Sequence, residues 1–397
     1  MICLVPNIGS TSFKYRVLDL PENAFGQPVR VLAQGRIERI GRPGGECADY
    51  PAAIRKCIAD IAGPGRPLAS LAKIDAVGFK AVHAGPLAAS RIIDDELLAA
   101  MEEFAFLAPA HNPPYVAAIR AFREVLPGVP MVAVLETEPY GALTEASTTY
   151  AVPYEWRTSF GIRRYGFHGA SHRSAHERVR ELFPDSRLRH ISCHLGGSSS
   201  LAAFRDGVAV DTSFGASPQS GLPQNNRVGD IDVFAVLHMM KKLGLDPDQM
   251  ADVLAVHSGL AGISGTSGDL RDLTEAASRG HERSRLALDV YVHAIRRYLG
   301  ALMVSLGGFD FISFSGGIGE NSPEIRAAVL KDLGTFGILL DENKNCSLTG
   351  EGIISAEDSP VTVLVIPANE EWIVARETVA IVSRALAVAQ PATQGAL

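Results

Sequence analysis

The sequence predicts an α/β protein whose architecture is built twice. Two observations carry that expectation. Short apolar runs of strand length alternate along the chain with longer segments of helical character. One local pattern also opens both halves. In the first, residues 2–6 form an apolar strand, Asn7-Ile8-Gly9-Ser10-Thr11-Ser12 a turn, and residues 13–20 the returning strand. In the second, residues 190–194 lead through Leu195-Gly196-Gly197-Ser198-Ser199-Ser200 to a return at 201–204. At 397 residues the chain is long enough for two or more domains, each with its own core.

Bulk chemistry narrows the class. Apolar residues make up 47% and charged residues 20%, the balance of a soluble globular enzyme. The formal charge of -7 comes without any basic block, which argues against nucleic acid as a partner. It leaves room for anionic ligands, because clustered backbone N–H groups and a few Arg or Lys make local positive sites. Cys3, Cys47, Cys57, Cys193 and Cys346 show no C-x-x-C spacing, so neither a zinc site nor a disulfide framework is expected. No run reaches the roughly 18 apolar residues of a membrane span. Met1 leads straight into a strand-like run instead of a signal pattern, and a cytoplasmic location is expected.

In chain order, Lys14 follows the first Gly/Ser turn, where hydroxyls and N–H groups could clasp a phosphate; a plain hairpin reads equally well. Residues 51–62 read as helix, 74–81 as a strand ending at Val82-His83-Ala84-Gly85, and 94–104 as helix. Residues 107–114 read as a stiff turn and 116–125 as helix. The strand 131–135 presents Glu136-Thr137-Glu138 at its end, where ligand groups gather in α/β sheets. Val152-Pro153 reads as a hinge. Arg164-Tyr165-Gly166-Phe167-His168-Gly169-Ala170-Ser171-His172 is a Gly-rich turn running into a helix at 174–182, with Ser171 expected as its N-cap. His168 on such a turn can donate to an anion held by backbone N–H groups. Arg205-Asp206-Gly207 signals a hairpin. Further helices are expected at 233–243 and 282–299, with a Gly/Ser loop at 258–268. The strand 311–314 ends in Ser315-Gly316-Gly317-Ile318-Gly319-Glu320-Asn321, and Ser322-Pro323-Glu324 opens a helix. A strand at 361–366 and a helix from Asn369-Glu370-Glu371 to about 386 complete the chain, with a frayed tail around Pro391 and Gln394-Gly395.

Several of these segments, in order and over nearly the full length, resemble the acetate kinase family. They are residues 7–14, Val82-His83-x-Gly85, His111-Asn112-Pro113-Pro114, residues 164–172, His194-Leu195-Gly196, Asp211-Thr212-Ser213, Gly229-Asp230-Ile231-Asp232, residues 258–272 and 316–322, and Asn369-Glu370-Glu371. The resemblance implies two duplicated actin-like ATPase (ribonuclease H-like) lobes, with the active site in the interlobe cleft and a homodimer formed largely through the second lobe. It places residues 1–148 plus about 375–397 in an N-terminal, acyl-substrate lobe. Residues 149–374 would form the nucleotide-binding and dimerisation lobe.

By the same resemblance, Asn7 and Glu370 look like magnesium-site residues, with Mn2+ as an alternative ion. Ser10 and Ser12 belong to the phosphate loop. Lys14, His194, Leu195, Gly196, Gly197, Ser198, Asp269, Leu270, Arg271, Gly316, Gly317, Ile318, Gly319 and Glu320 look like contacts for ATP. His168 and Arg227 look like the pair that stabilises the phosphoryl group in transfer, with Glu136 as the third catalytic residue. Lys80, Val82, Phe167 and Pro218 look like the carboxylate pocket. The implied activity is reversible, ATP- and Mg2+-dependent phosphorylation of acetate or a related short-chain carboxylate.

Departures from the family pattern fall mostly on the acyl side. Lys80 stands where the family has Arg, and Glu136 where it has Asp, reaching about 1.5 Å further. Gly197 replaces Asn, Asn225-Asn226 replace Gly-Thr, and Ala110 replaces Leu. Lys80 and Glu136 are therefore expected to compensate each other as a pair. These changes keep open a larger or more polar acid, or a hydroxyl acceptor with Glu136 as general base. A catalytically decayed nucleotide-binding regulator is a further alternative, against which the retention of Asn7, Lys14, His168, Arg227 and Glu370 argues.

Overall fold

Apolar runs without alternation need cover on both faces. The structure, a computed structural model that describes residues 1–9, 12–21 and 29–389, provides it. Ser10 and the tail around Pro391 and Gln394-Gly395 lie outside the described residues.

The first six-stranded sheet contains β1 (Ile2–Ile8), β2 (Ser12–Asp19), β3 (Arg30–Glu38), β4 (Ala76–Ala81), β5 (Arg91–Ile92) and β6 (Met131–Leu135), in the spatial order β3-β2-β1-β4-β6-β5. The second contains β7 (Arg189–His194), β8 (Ser200–Arg205), β9 (Val208–Thr212), β10 (Phe311–Ser315), β11 (Gly352–Ile353) and β12 (Thr362–Val365). Its order, β9-β8-β7-β10-β12-β11, repeats the first strand for strand. Directions repeat too. In each sheet the three central strands run parallel and the flanking strands antiparallel. The duplication expected from two Gly/Ser turns thus extends to both whole sheets.

The chain divides into two units, Met1–Glu138 with Asn369–Leu397, and Pro139–Ala368. Within the first, one sheet face packs Leu4, Val77 and Phe79 against the helices Tyr50–Ile61 and Asn112–Val125. The opposite face packs Cys3, Val5, Val132 and Val134 against Val374, Ala375 and Val379 of the helix Glu370–Ala389. Gly78 lets that helix lie close on β4, since a Cβ there would stand 2.2 Å from Thr378 Oγ1. In the second unit the long helix Glu282–Leu306 covers Ile191, Cys193, Ile312 and Phe314. The helix Gly169–Leu182 covers the other face through Ala175 and Val179. All five cysteines are free thiols.

Local differences from the sequence expectations have identifiable causes. The helix expected at 174–182 begins at Gly169, because His168 takes a left-handed conformation (φ 57°, ψ 29°) that turns the chain directly into it. Ser171 is therefore inside the helix and not its cap. Pro113 and Pro114 belong to the first turn of Asn112–Val125, where a missing N–H costs nothing. Residues Gly316–Asn321 coil into a short helix after β10, and Gly259–Ser264 does so within the expected 258–268 loop. The long helix passes Gly300 and stops only where Gly307 turns left-handed (φ 66°). Pro247–Val256 is a helix that apolar periodicity did not show; its signal was the capping box of Asp246 and Gln249 around Pro247. Asp206 and Gly207 both have positive φ, 50° and 94°, as the expected hairpin requires.

Candidate active site

Parallel strands deliver their C-terminal ends to one edge of each sheet, and the predicted site residues lie along those two edges. In the first unit Asn7, near the end of β1, faces Lys14 on β2 in the strand register. Both line a cavity of about 410 Å3 that also takes in Arg16, Arg36 and Glu371. Ser12 closes the described part of the β1–β2 turn, its carbonyl accepting the Gly9 N–H at 2.8 Å.

Lys80 is the penultimate residue of β4, and Val82, buried, follows the strand. Glu136 directly follows β6 and is 2% exposed; its N–H donates to the Ala81 carbonyl at 2.9 Å. The Lys80 ammonium donates to Glu370 Oε2 at 2.7 Å, at the first residue of the helix Glu370–Ala389. Burial pulls the Lys80 pKa down, but the carboxylates of Glu370 and then Glu136 outweigh it, and the net direction is upward. Lys80 is held as a cation. The expected pairing of Lys80 with Glu136 is thus corrected: the hydrogen-bonded partner is Glu370, and Glu136 contributes through its field. A lysine on a flexible stem can turn to whichever carboxylate is better placed, unlike a rigid guanidinium fork.

In the second unit the turn after β7 organises the site. His194 Nδ1 meets Ser171 Oγ at 2.6 Å, and the ring centroids of His168 and His194 are 4.5 Å apart. His168 Nδ1 meets Ser200 Oγ at 2.8 Å. Arg227 donates to Gln224 Oε1 at 3.2 Å and contacts Ser198 Oγ at 3.4 Å. Two serines of one turn, Ser198 and Ser200, therefore touch the two groups expected to act on the phosphoryl. Arg227 makes no ion pair among the described residues, and burial draws its pKa below the usual arginine value. Pro218, buried, accepts the Gln224 side-chain amide at 2.8 Å and so supports the residue that holds Arg227. Phe167 packs edge-on against Phe214 (5.5 Å between centroids), and its carbonyl accepts the Tyr140 hydroxyl at 2.9 Å.

Beside this cluster lies a cavity of about 750 Å3. Gly196, Gly197, Asp269, Leu270, Arg271, Gly317 and Ile318 all line it, bringing together seven residues expected at the nucleotide from three separate stretches of chain. The volume is within the range of a small-molecule or cofactor site. Other expected contacts frame it instead. Leu195 is fully buried, and its carbonyl accepts N–H groups from Ile318 and Gly319. Gly316 has φ 77°, and a Cβ there would stand 2.6 Å from the Leu195 carbonyl oxygen. The Glu320 carboxylate accepts the backbone N–H groups of Gly316 (2.8 Å) and Ala368 (3.0 Å), tying the end of β10 to the segment after β12. Asp269 caps the helix Leu270–Ser278 and chelates Arg271 at 3.0 and 2.6 Å; that hydrogen bonding holds its carboxyl below the usual range.

Two departures from the family pattern meet here. A Cβ on Gly197 would stand 3.4 Å from Asn225 Nδ2, and Asn225 lines the same cavity. The Asn225 amide thus lies beside the place where a side chain at 197 would begin. Gln224 was not singled out from the sequence, and Asn225 and Ser200 were named there without a site role, because neutral polar residues carry no motif; their neighbours in space suggest one.

The profile of the Acetokinase family matches residues 2–376. A curated acetate kinase of Desulforamulus reducens is 41% identical over 400 residues, covering 95% of this chain and 99% of its own. One from Shouchella clausii is 40% identical over 395 residues, covering 95% and 98%. Among solved structures, Porphyromonas gingivalis acetate kinase superposes with a TM-score of 0.86 at 35% identity, over 96% of this chain and 99% of that one. A propionate kinase from Francisella tularensis gives 0.85 at 28% identity, over 95% and 98%.

Two measurements follow from this geometry. A Cβ on Gly317 would enter open space at the cavity wall, so Gly317→Val should weaken ATP binding by calorimetry, on the order of tenfold, with an unchanged melting temperature. Unchanged affinity in the folded variant would move the nucleotide elsewhere. For the acyl side, a double-mutant cycle on unfolding free energy should find larger coupling for Lys80→Met with Glu370→Gln than for Lys80→Met with Glu136→Gln. Equal coupling would return Glu136 to the position of direct partner.

Proposed function

The chain belongs to the acetokinase family, and on that premise we propose that it transfers the γ-phosphoryl group of ATP, reversibly, to a short-chain carboxylate: acetate or a near relative such as propionate. One carboxylate oxygen attacks the γ-phosphorus as the bond to the β-phosphate oxygen breaks, and ADP leaves. The nucleophile carries no proton, so Glu136 is not required as a general base. It serves to hold the field around Lys80. Phosphoryl transfer needs positioning and charge stabilisation more than covalent help.

The observation that carries this reading is Arg227. Among the described residues this partly buried guanidinium is supported by the neutral acceptors Ser198 and Gln224 and makes no ion pair. A cation kept from water without a counter-charge is an anion site awaiting its anion, and its fork suits phosphoryl oxygens. Arg227 and His168 neutralise charge on the phosphoryl in transfer. Val82, Phe167 and Pro218 are assigned to the carboxylate by the family resemblance. The cavity lined by Gly197, Asn225, Asp269 and Gly317 takes the nucleotide. Relatives of this identity over nearly the whole chain favour this enzyme over a decayed regulator or a hydroxyl kinase.

Mg2+, or Mn2+ in its place, would be held by the Asn7 amide oxygen and the Glu370 carboxylate. Both are hard oxygen donors and fit an ion that keeps several waters and phosphate ligands. Among the described residues no group of three or more His, Cys, Asp or Glu could hold a metal ion. When bound, the ion would offset negative charge on the terminal phosphates. Lys80 shares the Glu370 carboxylate and keeps it oriented. Among the described residues no helix is long and apolar enough to cross a membrane, and five free thiols suit a reducing cytoplasm.

Assembly as a homodimer is part of the proposal. No residue of the helix Val233–Leu243 is buried, and Phe234, Val233, Leu243 and Leu237 are 78%, 61%, 58% and 53% exposed. An apolar face of this kind needs a partner. Sedimentation should show a dimer that Phe234→Glu with Leu237→Glu dissociates; a wild-type monomer at micromolar concentration would contradict it.

The catalytic assignment is tested by trapping acyl phosphate as hydroxamate across a panel of short carboxylates with ATP and Mg2+. Arg227→Ala and His168→Ala should each lower kcat by the equivalent of about 3–4 kcal/mol while leaving ATP affinity nearly intact. Near-wild-type turnover in either variant would remove that residue from the transition state.

A further inference from the structure

Beneath His168 lies a ladder of hydrogen bonds that no part of the reaction scheme uses. Ser192 Oγ meets His172 Nδ1 at 2.9 Å, His172 Nε2 meets Ser200 Oγ at 2.8 Å, and Ser200 Oγ meets His168 Nδ1 at 2.8 Å. Ser192, His172 and Ser200 are all fully buried. They come from three elements. His172 is on the helix Gly169–Leu182, one turn beyond His168, while Ser192 is on β7 and Ser200 opens β8. Water cannot satisfy the interior members, so each hydroxyl hydrogen must find its acceptor within the ladder.

That requirement has a direction. Ser192 Oγ has one side-chain partner among the described residues, His172 Nδ1. Its hydrogen is satisfied only if Ser192 donates to a bare Nδ1. His172 is then the Nε2–H tautomer and donates to Ser200 Oγ. Ser200 in turn spends its single hydrogen on His168 Nδ1, and His168 carries its proton on Nε2. The reverse polarity would place His168 Nδ1–H on Ser200, Ser200 on His172 Nε2, and His172 Nδ1–H on Ser192. It would leave the buried Ser192 hydrogen without an acceptor, a state proteins avoid. Burial and the neighbouring His194 both hold the His172 pKa far below its ordinary value, so that ring stays neutral.

We propose that Ser192, His172 and Ser200 are positioning residues that lock His168 as the Nε2–H tautomer, the form that can donate from Nε2 to the phosphoryl group. The proposal rests on the kinase reading for the identity of the acceptor, but the tautomer follows from the ladder alone. It assigns a function to three residues that touch neither substrate. It also accounts for the left-handed conformation of His168, which puts the ring at the start of the helix one turn before His172.

The test is long-range proton–nitrogen NMR of histidine side chains in the 15N-labelled full chain, with the His168 signals identified by their loss in His168→Gln. The wild-type protein should show a neutral His168 protonated on Nε2. Ser200→Ala should convert it to a mixture of tautomers and lower kcat at least about tenfold with unchanged KM for ATP. That is short of the roughly 100-fold or greater loss expected when the donor itself is removed. Ser200→Thr, which keeps the hydroxyl, should restore both readings. A wild-type His168 protonated on Nδ1 alone would overturn the proposal without recourse to any variant. So would a folded Ser200→Ala protein with the tautomer and kcat unchanged. If no carboxylate is phosphorylated at all, the kinase reading fails while the wild-type spectrum still decides the ladder.

Discussion

Parallel pairing of β1, β4 and β6, and again of β7, β10 and β12, is the constraint on which both units depend. Parallel neighbours cannot be joined by a tight turn. Each needs a crossover long enough to carry a helix back over the sheet, and every crossover must start from the same edge. The polar residues placed just past those strands are therefore gathered without any contact between them being needed for folding. Asn7, Lys80 and Glu136 come together in this way in one unit, and His194 and Gly316 in the other. Function was placed where the sheet leaves its strand ends uncommitted.

The charges at these edges divide the work. Lys80 is paired with Glu370 and lies within the field of Glu136, so much of its charge is already answered before any substrate arrives. Arg227 has no such partner among the described residues, and its neutral supports orient it without spending its charge. An anion therefore gains more from Arg227 than from Lys80. This matches a reaction in which charge concentrates on the phosphoryl in flight, while the carboxylate nucleophile needs mainly to be held.

Much of this was legible in the sequence. The strands and the Asp206-Gly207 hairpin are local signals with local causes and formed close to where they were expected, although Asn7 and Ile8, expected in the first turn, belong to β1. The glycines of the cavity in the second unit were legible because close backbone approach leaves few other choices of residue. What could not be read was pairing at a distance. Lys80 and Glu370 are 290 residues apart, and Glu136 was the nearer guess because it sits at a neighbouring strand end. The start of the helix at Gly169 was missed for a related reason. Ser171 is a good capping residue by type, but its hydroxyl is occupied by His194 across the fold, and the backbone turn at His168 replaces the cap. The nearness of Asn225 to Gly197 is invisible until both are seen at one cavity wall.

Phosphorus NMR of the purified chain with ATP, Mg2+ and excess acetate tests the central claim most directly, because it separates transfer to a carboxylate from hydrolysis. The account predicts a growing acyl phosphate resonance matched one for one by ADP, reversed on addition of excess ADP. ADP accompanied only by inorganic phosphate, or no turnover with acetate, propionate or other short carboxylates, would contradict it.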